Sequence, residues 1–232
     1  MGKRIALDII NSDIAFLRQT IDKVKKECGE DVSITTHILQ TVSPNFKSVI
    51  KYDLFFKDVY LVKDIDEFIK LIRQDRVLKG IDVAKYILSK MESNHLMLEK
   101  LTYYCYADYL VKTGKKLFDD KILAYSYGPV IESIYTKFKR RGKDTLSLEE
   151  IENKIYNYKP KTYLPAKSRI LFADSGLEKL NSIDDTLDKY SYFDVWQLVK
   201  LTHKDGTPWQ RTTQSSEITD DLIIKYHKVE TI

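Results

Sequence analysis

Ile5, Leu7 and Ile9 alternate with Ala6, Asp8 and Ile10, a period near two that predicts an opening strand. The period then lengthens. Asn11, Ser12 or Asp13 can cap a helix on which Ile14, Leu17, Ile21, Val24 and Cys28 share one stripe, and Gly29 supplies its stop. Val32 to Gln40 and Ser48 to Lys63 are rich in Val, Ile, Thr, Tyr and Phe and predict strands, with a turn at Pro44 and Asn45 between them. Asp64 opens a short helix with Ile65, Phe68, Ile69 and Ile72 on its buried side, ending near Arg76. The first 78 or so residues thus read as a small α+β unit, with a joint at Lys79 and Gly80.

Beyond the joint the pattern is helical and rich in tyrosine. Ile81 to Met91 predicts one helix, and after a break at Glu92 to Asn94 a second runs from about His95 to Lys112 and stops at Gly114. On that second helix Met97, Leu98, Leu101, Tyr103 to Ala107, Tyr109, Leu110 and Val111 cover nearly the whole circumference. Such a helix belongs in the middle of a domain, and Asp108 is the exception on it. Its carboxylate must reach solvent or a donor, because leaving it buried and unpaired costs on the order of 3 kcal/mol or more.

Leu117 to Tyr127 alternates enough for an extended segment leading into Gly128 and Pro129. Pro129 suits the first position of a helix whose apolar side is Val130, Ile134, Tyr135 and Phe138, ended by Gly142. Lys143 to Arg169 reads mainly as a mobile loop, with a short helix near Leu148 to Tyr156 and breakers at Pro160 and Pro165. Asp174 can cap a helix over Gly176 to Leu187; another spans about Ser191 to Thr202, and Thr219 caps a terminal helix to Val229. The division is residues 1–79 and 80–232, an α+β chain whose second part is mostly helical with a short extended or hairpin segment.

Composition narrows the function by exclusion. With 43% hydrophobic residues the chain can build a core, so global disorder is excluded. Lys and Arg exceed Asp and Glu by only 4, far from the balance of a dedicated polyphosphate binder. The cysteines Cys28 and Cys105 lie in apolar stretches and fit buried thiols in a reducing cytoplasm. No apolar run reaches the roughly 20 residues of a membrane span, and Asp8 interrupts the N-terminal run a secretory signal requires.

Catalytic motifs are missing in the same way. Gly114-Lys115-Lys116 lacks the upstream glycine and the following Ser or Thr of a phosphate loop. His37, His95, His203 and His227 show no metal-ligand spacing, there is no G-x-S-x-G elbow, and Cys105 has no basic neighbour. No cofactor, metal or catalytic residue is expected; His203 and Asp108 are the only acid/base groups an enzyme reading could name. The basic run Lys137, Lys139, Arg140, Arg141 and Lys143 could meet nucleic-acid phosphates, but cations at a helix C-terminus are favourable without a ligand. Asp184, Asp185 and Asp188 read first as a solvated helix end or loop, with a catalytic carboxylate pair as the alternative. The 16 tyrosines include rings that anchor interfaces when exposed, and Trp209 in its loop either staples that loop to the core or does the same.

Two blocks of residues resemble a known family. Leu98-Glu99-Lys100-Leu101-Thr102-Tyr103-Tyr104, then Gly114, Leu117-Phe118, Ile122-Leu123-Ala124-Tyr125, Tyr127-Gly128-Pro129-Val130 and Tyr135 resemble the Panacea domain, the SocA-like antitoxin domain. Trp196, Leu198, Leu201-Thr202-His203 and Pro208-Trp209 resemble its closing signature, so the likeness covers about residues 81–215. The chain departs from the family at Tyr125, where tryptophan is usual, and at Cys105-Tyr106, where Ala-Gln is typical. The resemblance implies a mostly helical antitoxin of a bacterial or prophage toxin–antitoxin pair, neutralising a cognate protein toxin by direct binding. A variant is an adaptor that delivers the toxin to a protease; a DNA-binding regulator is the alternative from the basic run. The N-terminal unit, outside the likeness, would be an accessory domain. Tyr104, Asp108, Tyr127, Glu132, His203 and Trp209 are expected to form a shared polar-aromatic cluster that supports the domain or its interface.

Overall fold

The computed structural model describes residues 5–10, 14–148 and 166–232. The expected caps Asn11, Ser12 and Asp13, most of the Leu148–Tyr156 helix and the breakers Pro160 and Pro165 lie outside the described residues. The chain divides into two compact units, Met1–Val77 and Leu78–Ile232.

In the smaller unit, β1 (Ile5–Leu7) pairs in parallel with β2 (Tyr60–Val62), Ile5 opposite Tyr60. Between them lie α1 (Ile14–Cys28), α2 (Phe46–Tyr52) and a 3-10 turn over Leu54–Asp58, and α3 (Ile65–Arg76) follows. α3 starts where Asp64 accepts a hydrogen bond from the Glu67 amide at 2.8 Å. Val24, Cys28 and Ile69 are its buried apolar centre, with Val32, Ile34, Ile65, Phe68 and Ile72 packed around them.

Two expected strands are corrected here. Val32 to Gln40 has no regular structure; it lays Val32 and Ile34 on the small core with no strand edge beside it. Ser48 to Lys63 is mostly helical, because local side chains set the backbone: Asn45 accepts from the Ser48 amide at 3.0 Å and Asp53 from the Phe55 amide at 2.8 Å. Those caps outweigh β propensity until Tyr60, where β2 begins.

The larger unit is built around one helix. α4 (Gly80–Lys90) and β3 (Ser93–Asn94) lead into α5 (His95–Thr113), which Asn94 caps through the Met97 amide at 2.9 Å. It ends at Gly114, which sits in the left-handed region at φ 70° and lets the chain turn away. β4 (Ile122–Tyr125) and β5 (Gly128–Ile131) form a hairpin with Ser126 and Tyr127 at its tip. α6 (Glu132–Phe138), a 3-10 turn over Lys139–Arg141 and β6 (Thr145–Leu146), paired with β3, come next. After them come α7 (Ala166–Leu171), α8 (Gly176–Tyr190), α9 (Val195–Thr202), α10 (Asp220–Tyr226) and a 3-10 turn over His227–Val229.

α4, α6, α8, α9, α10 and β5 all pack on α5. Its all-round apolarity places it in the centre, with Leu98, Leu101, Tyr103, Tyr104, Cys105, Ala107 and Tyr109 fully buried. Asp108 is not the only charge there: Glu99 and Lys100 are also fully buried.

Pro129 does not open a helix. It lies in β5, and α6 begins three residues later, because Val130 and Ile131 pair with β4 and the Ile131 amide is held by Glu99. α8 starts after Ser175 rather than Asp174 and runs on to Tyr190, so Asp184, Asp185 and Asp188 lie within a helix instead of at its end. Asp184 accepts from the Tyr86 hydroxyl at 2.7 Å, and Asp185 sits 3.6 Å from Lys112. α9 starts at Val195 rather than Ser191, since Asp194 caps it through the Trp196 and Gln197 amides.

Candidate functional site

The expected cluster of six residues is distributed over three places. Tyr104 and Asp108 share a buried polar network on α5; His203 and Trp209 pack against the hairpin tip that carries Tyr127; Glu132 is exposed on the first turn of α6, which follows the other end of the hairpin. Among the described residues the first group stands apart from the other two, because α5 contributes those two side chains toward α8 and the 227–230 turn.

The buried network is organised by His227. Its Nε2 lies 2.8 Å from Asp108 Oδ1 and its Nδ1 2.8 Å from Glu230 Oε1. Two carboxylate acceptors require two N–H donors, so the ring is held as imidazolium. Burial pulls its pKa down, but the two carboxylates prevail and raise it to about 9. Burial pushes the Asp108 carboxyl up, yet His227, Lys189 and the Thr186 hydroxyl hold it below the usual carboxylate range. Tyr103 donates to Glu230 Oε1, and Tyr104 donates to the Glu230 carbonyl at 3.3 Å while stacking on Tyr190 at 4.2 Å between centroids. The requirement that Asp108 find a donor is therefore met by His227, Thr186 and Lys189 together.

The second arrangement closes the hairpin on all sides. Lys100 Nζ donates to the Pro129 carbonyl at 2.7 Å, and Glu99 Oε2 accepts from the Ile131 amide at 2.7 Å. These two groups lie on the edge of β5 that β4 does not use, so two side chains of α5 take the place of a neighbouring strand. Burial drives the Glu99 carboxyl up to about 8, against the Ile131 amide and Lys100, and drives the Lys100 amine down to about 7, against Glu99 and Glu230. The close approach needs Gly128: a Cβ there would stand 2.8 Å from Lys100 Nζ and 2.6 Å from Thr202 Oγ1, and its φ of +99° disfavours any other residue.

On the opposite edge, β4 is bridged by residues 215–218, with the Ala124 amide 2.9 Å from the Ser216 carbonyl and the Ile218 amide 2.8 Å from the Ile122 carbonyl. At the tip, Trp209 Nε1 donates to the Tyr125 carbonyl at 2.8 Å and His203 Nε2 lies 3.2 Å from the Ser126 carbonyl. The His203 and Trp209 rings are packed with centroids 3.7 Å apart. Thus Glu99, Lys100, Gly128, Thr202, His203 and Trp209 all serve one object, the β4–β5 hairpin. What they leave outside is the Tyr127 ring, 57% exposed, edge-on to Trp196, 52% exposed, at 5.9 Å.

Residues 98–210 match the family described as antitoxin SocA-like, Panacea domain. The matched residues all lie in the larger unit. The smaller unit lies outside the match. Comparison with curated proteins and with solved structures gives no match. The Panacea match begins at Leu98, one residue before the pair that holds the hairpin, and ends one residue past Trp209.

Glu99 and Lys100 entered the sequence reading only within the block that resembles the Panacea family, and His227 and Glu230 were given no role in it. The first two had a signal: a charge on a helix that is apolar all round has no exposed face to occupy. His227 and Glu230 had only an i, i+3 spacing at the end of an amphipathic segment, which says nothing of Asp108. Among the described residues no group of His, Cys, Asp or Glu could hold a metal ion, and no helix is long and apolar enough to cross a membrane. Burial raises the Cys105 thiol well above its ordinary pKa, the opposite of nucleophile activation.

Proposed function

We propose that the chain is the antitoxin of a toxin–antitoxin pair and acts in the cytoplasm by binding its cognate protein toxin stoichiometrically, without making or breaking a bond. The observation that carries this reading is the Panacea match over residues 98–210. The arrangement of the larger unit agrees with it: the titratable groups of the core are engaged with one another or with backbone, and the aromatic surface lies on a braced hairpin. Residues 80–232 are the toxin-binding Panacea domain in this reading, and residues 1–79 an accessory domain that adds a second contact or sets which toxin is recognised. An interface of roughly 1,200–2,000 Å² would suffice for a stable complex.

Co-expression with the protein encoded by the adjacent gene tests it. The expected result is restored growth and a complex of fixed stoichiometry on size-exclusion chromatography. A toxic neighbour that stays toxic and elutes alone would overturn the proposal.

A further inference from the structure

The hairpin is held along both edges and at its tip, and its two ends differ in the side chains they present. At the end where β4 begins and β5 finishes, Asp119, Asp120, Glu132 and Glu217 line a cavity of about 610 Å³ together with Lys116 and Lys121. The tip end carries aromatic rings and exposed lysines, with Asp194 capping the helix that bears Trp196. Tyr125 meets Tyr135 of α6 at 4.7 Å between centroids, so α6 runs back along the hairpin toward its tip. One turn on, Lys139 Nζ lies 5.6 Å from the centre of the Tyr135 ring. On the other flank Trp196 touches Tyr127, and Lys200 is exposed one turn further along α9.

Resting on the antitoxin reading, we propose that the hairpin tip is the toxin-recognition surface: Tyr127 and Trp196, flanked by Lys139 and Lys200, receive an acidic, apolar-centred patch of the toxin. Three features support this. An aromatic pair with few rotatable bonds loses little freedom on binding, and such rings dominate interface energetics. The tip backbone is already held by Trp209 and His203, and the strand behind it by Lys100 and Glu99, so no loop has to be ordered when the partner arrives. Exposed Lys139 and Lys200 flank the rings, and the Asp194 carboxylate beside Trp196 is turned to the amides at the start of α9, so the lysines are the charges offered to an acidic partner. A protein occupant is favoured over nucleic acid by the Panacea match.

The test uses the full chain and the protein encoded by the adjacent gene, purified from co-expression and titrated by calorimetry. Tyr127→Ala and Trp196→Ala should each weaken binding about tenfold or more. The double reversal Lys139→Glu with Lys200→Glu should slow association and reduce its dependence on salt. Phe172→Ala removes a ring of similar exposure (55%) on a different element and should leave affinity within about twofold. Thermal melting of each variant separates lost recognition from lost folding. If the wild-type chain binds but the tip variants bind equally well, the tip assignment falls and the antitoxin reading stands. If the wild-type chain does not bind, both fall. If a fluorescent single-stranded oligonucleotide binds and is lost in the same tip variants while the protein titration is unchanged, the occupant is nucleic acid and the proposal is overturned.

Discussion

In the larger unit Glu99, Lys100 and Glu230 are fully buried, and each is bonded to backbone or to a side chain drawn from another element. The smaller unit also contains a buried cation, Arg76, but its partner Asp31, at 2.8 Å, keeps 57% of its side chain exposed. Its contiguous apolar cluster is Val24, Cys28 and Ile69, with Phe56 and Val62 buried apart from it, and Ile14, Phe16, Leu54 and Phe55 remain at least half exposed. One unit buries charged groups that each bond to a group distant in sequence or to the closing turn; the other is held by caps, surface ion pairs and a thin apolar contact. Substitution should therefore be costly and cooperative in the first and local in the second.

The sharpest way to break this contrast is His227→Ala. It leaves the fully buried Glu230 carboxylate without its cationic partner, and a loss of about 3–5 kcal/mol is expected in urea unfolding of the larger unit. A loss below about 1 kcal/mol would show that the network is not what specifies that unit.

The pH dependence comes next in size. The His227 pKa is raised from 6.5 to about 9 in the folded chain, so its contribution is fully present below pH 6.5 and is lost as pH rises through 9. The expected magnitude is about 3 kcal/mol. Lys100, lowered to about 7, works in the opposite sense over the same window, because the unfolded chain there binds the extra proton and stability rises with pH. The measurement is therefore the difference between wild-type and His227→Gln stabilities from pH 6 to 10. That difference should narrow toward high pH, and a constant offset would sink the assignment.

Ile69→Ala should cost about 2–3 kcal/mol, toward the lower end for such changes because a small centre can collapse around the gap. Two-probe unfolding should show an earlier transition for the smaller unit with that of the larger one unmoved; a joint shift would mean that the two are not energetically separate. Asp64→Ala, which removes the cap of α3, should cost about 1 kcal/mol by the same measurement.

The contrast also explains what was legible in the sequence. Elements with a strong local signal were read correctly: α1 from its stripe, α3 from Asp64, and α5 from its apolar circumference and Gly114. Failures came where a particular side-chain hydrogen bond overrode residue preference. Asn45 and Asp53 turned a β-rich stretch into helix, and Glu99, 32 residues away from Ile131, kept Val130 and Ile131 extended after Pro129. The candidate residues were legible as types but not as a set. His203 and Trp209 meet because the Thr202–Trp209 turn is tight, whereas Asp108 finds His227 across 119 positions, a pairing no local pattern encodes.

That separation has a consequence for synthesis on the ribosome. α5 emerges with Asp108 and Tyr103 already in place, but their partners His227 and Glu230 follow 119 and 127 residues later. At roughly 5–20 residues per second, the nascent helix waits about 6–25 s with its acid group and its tyrosines uncovered. Until residues 227–230 arrive, the unit built on α5 has an unfinished core, and it is in that interval that a protease or a chaperone would meet it.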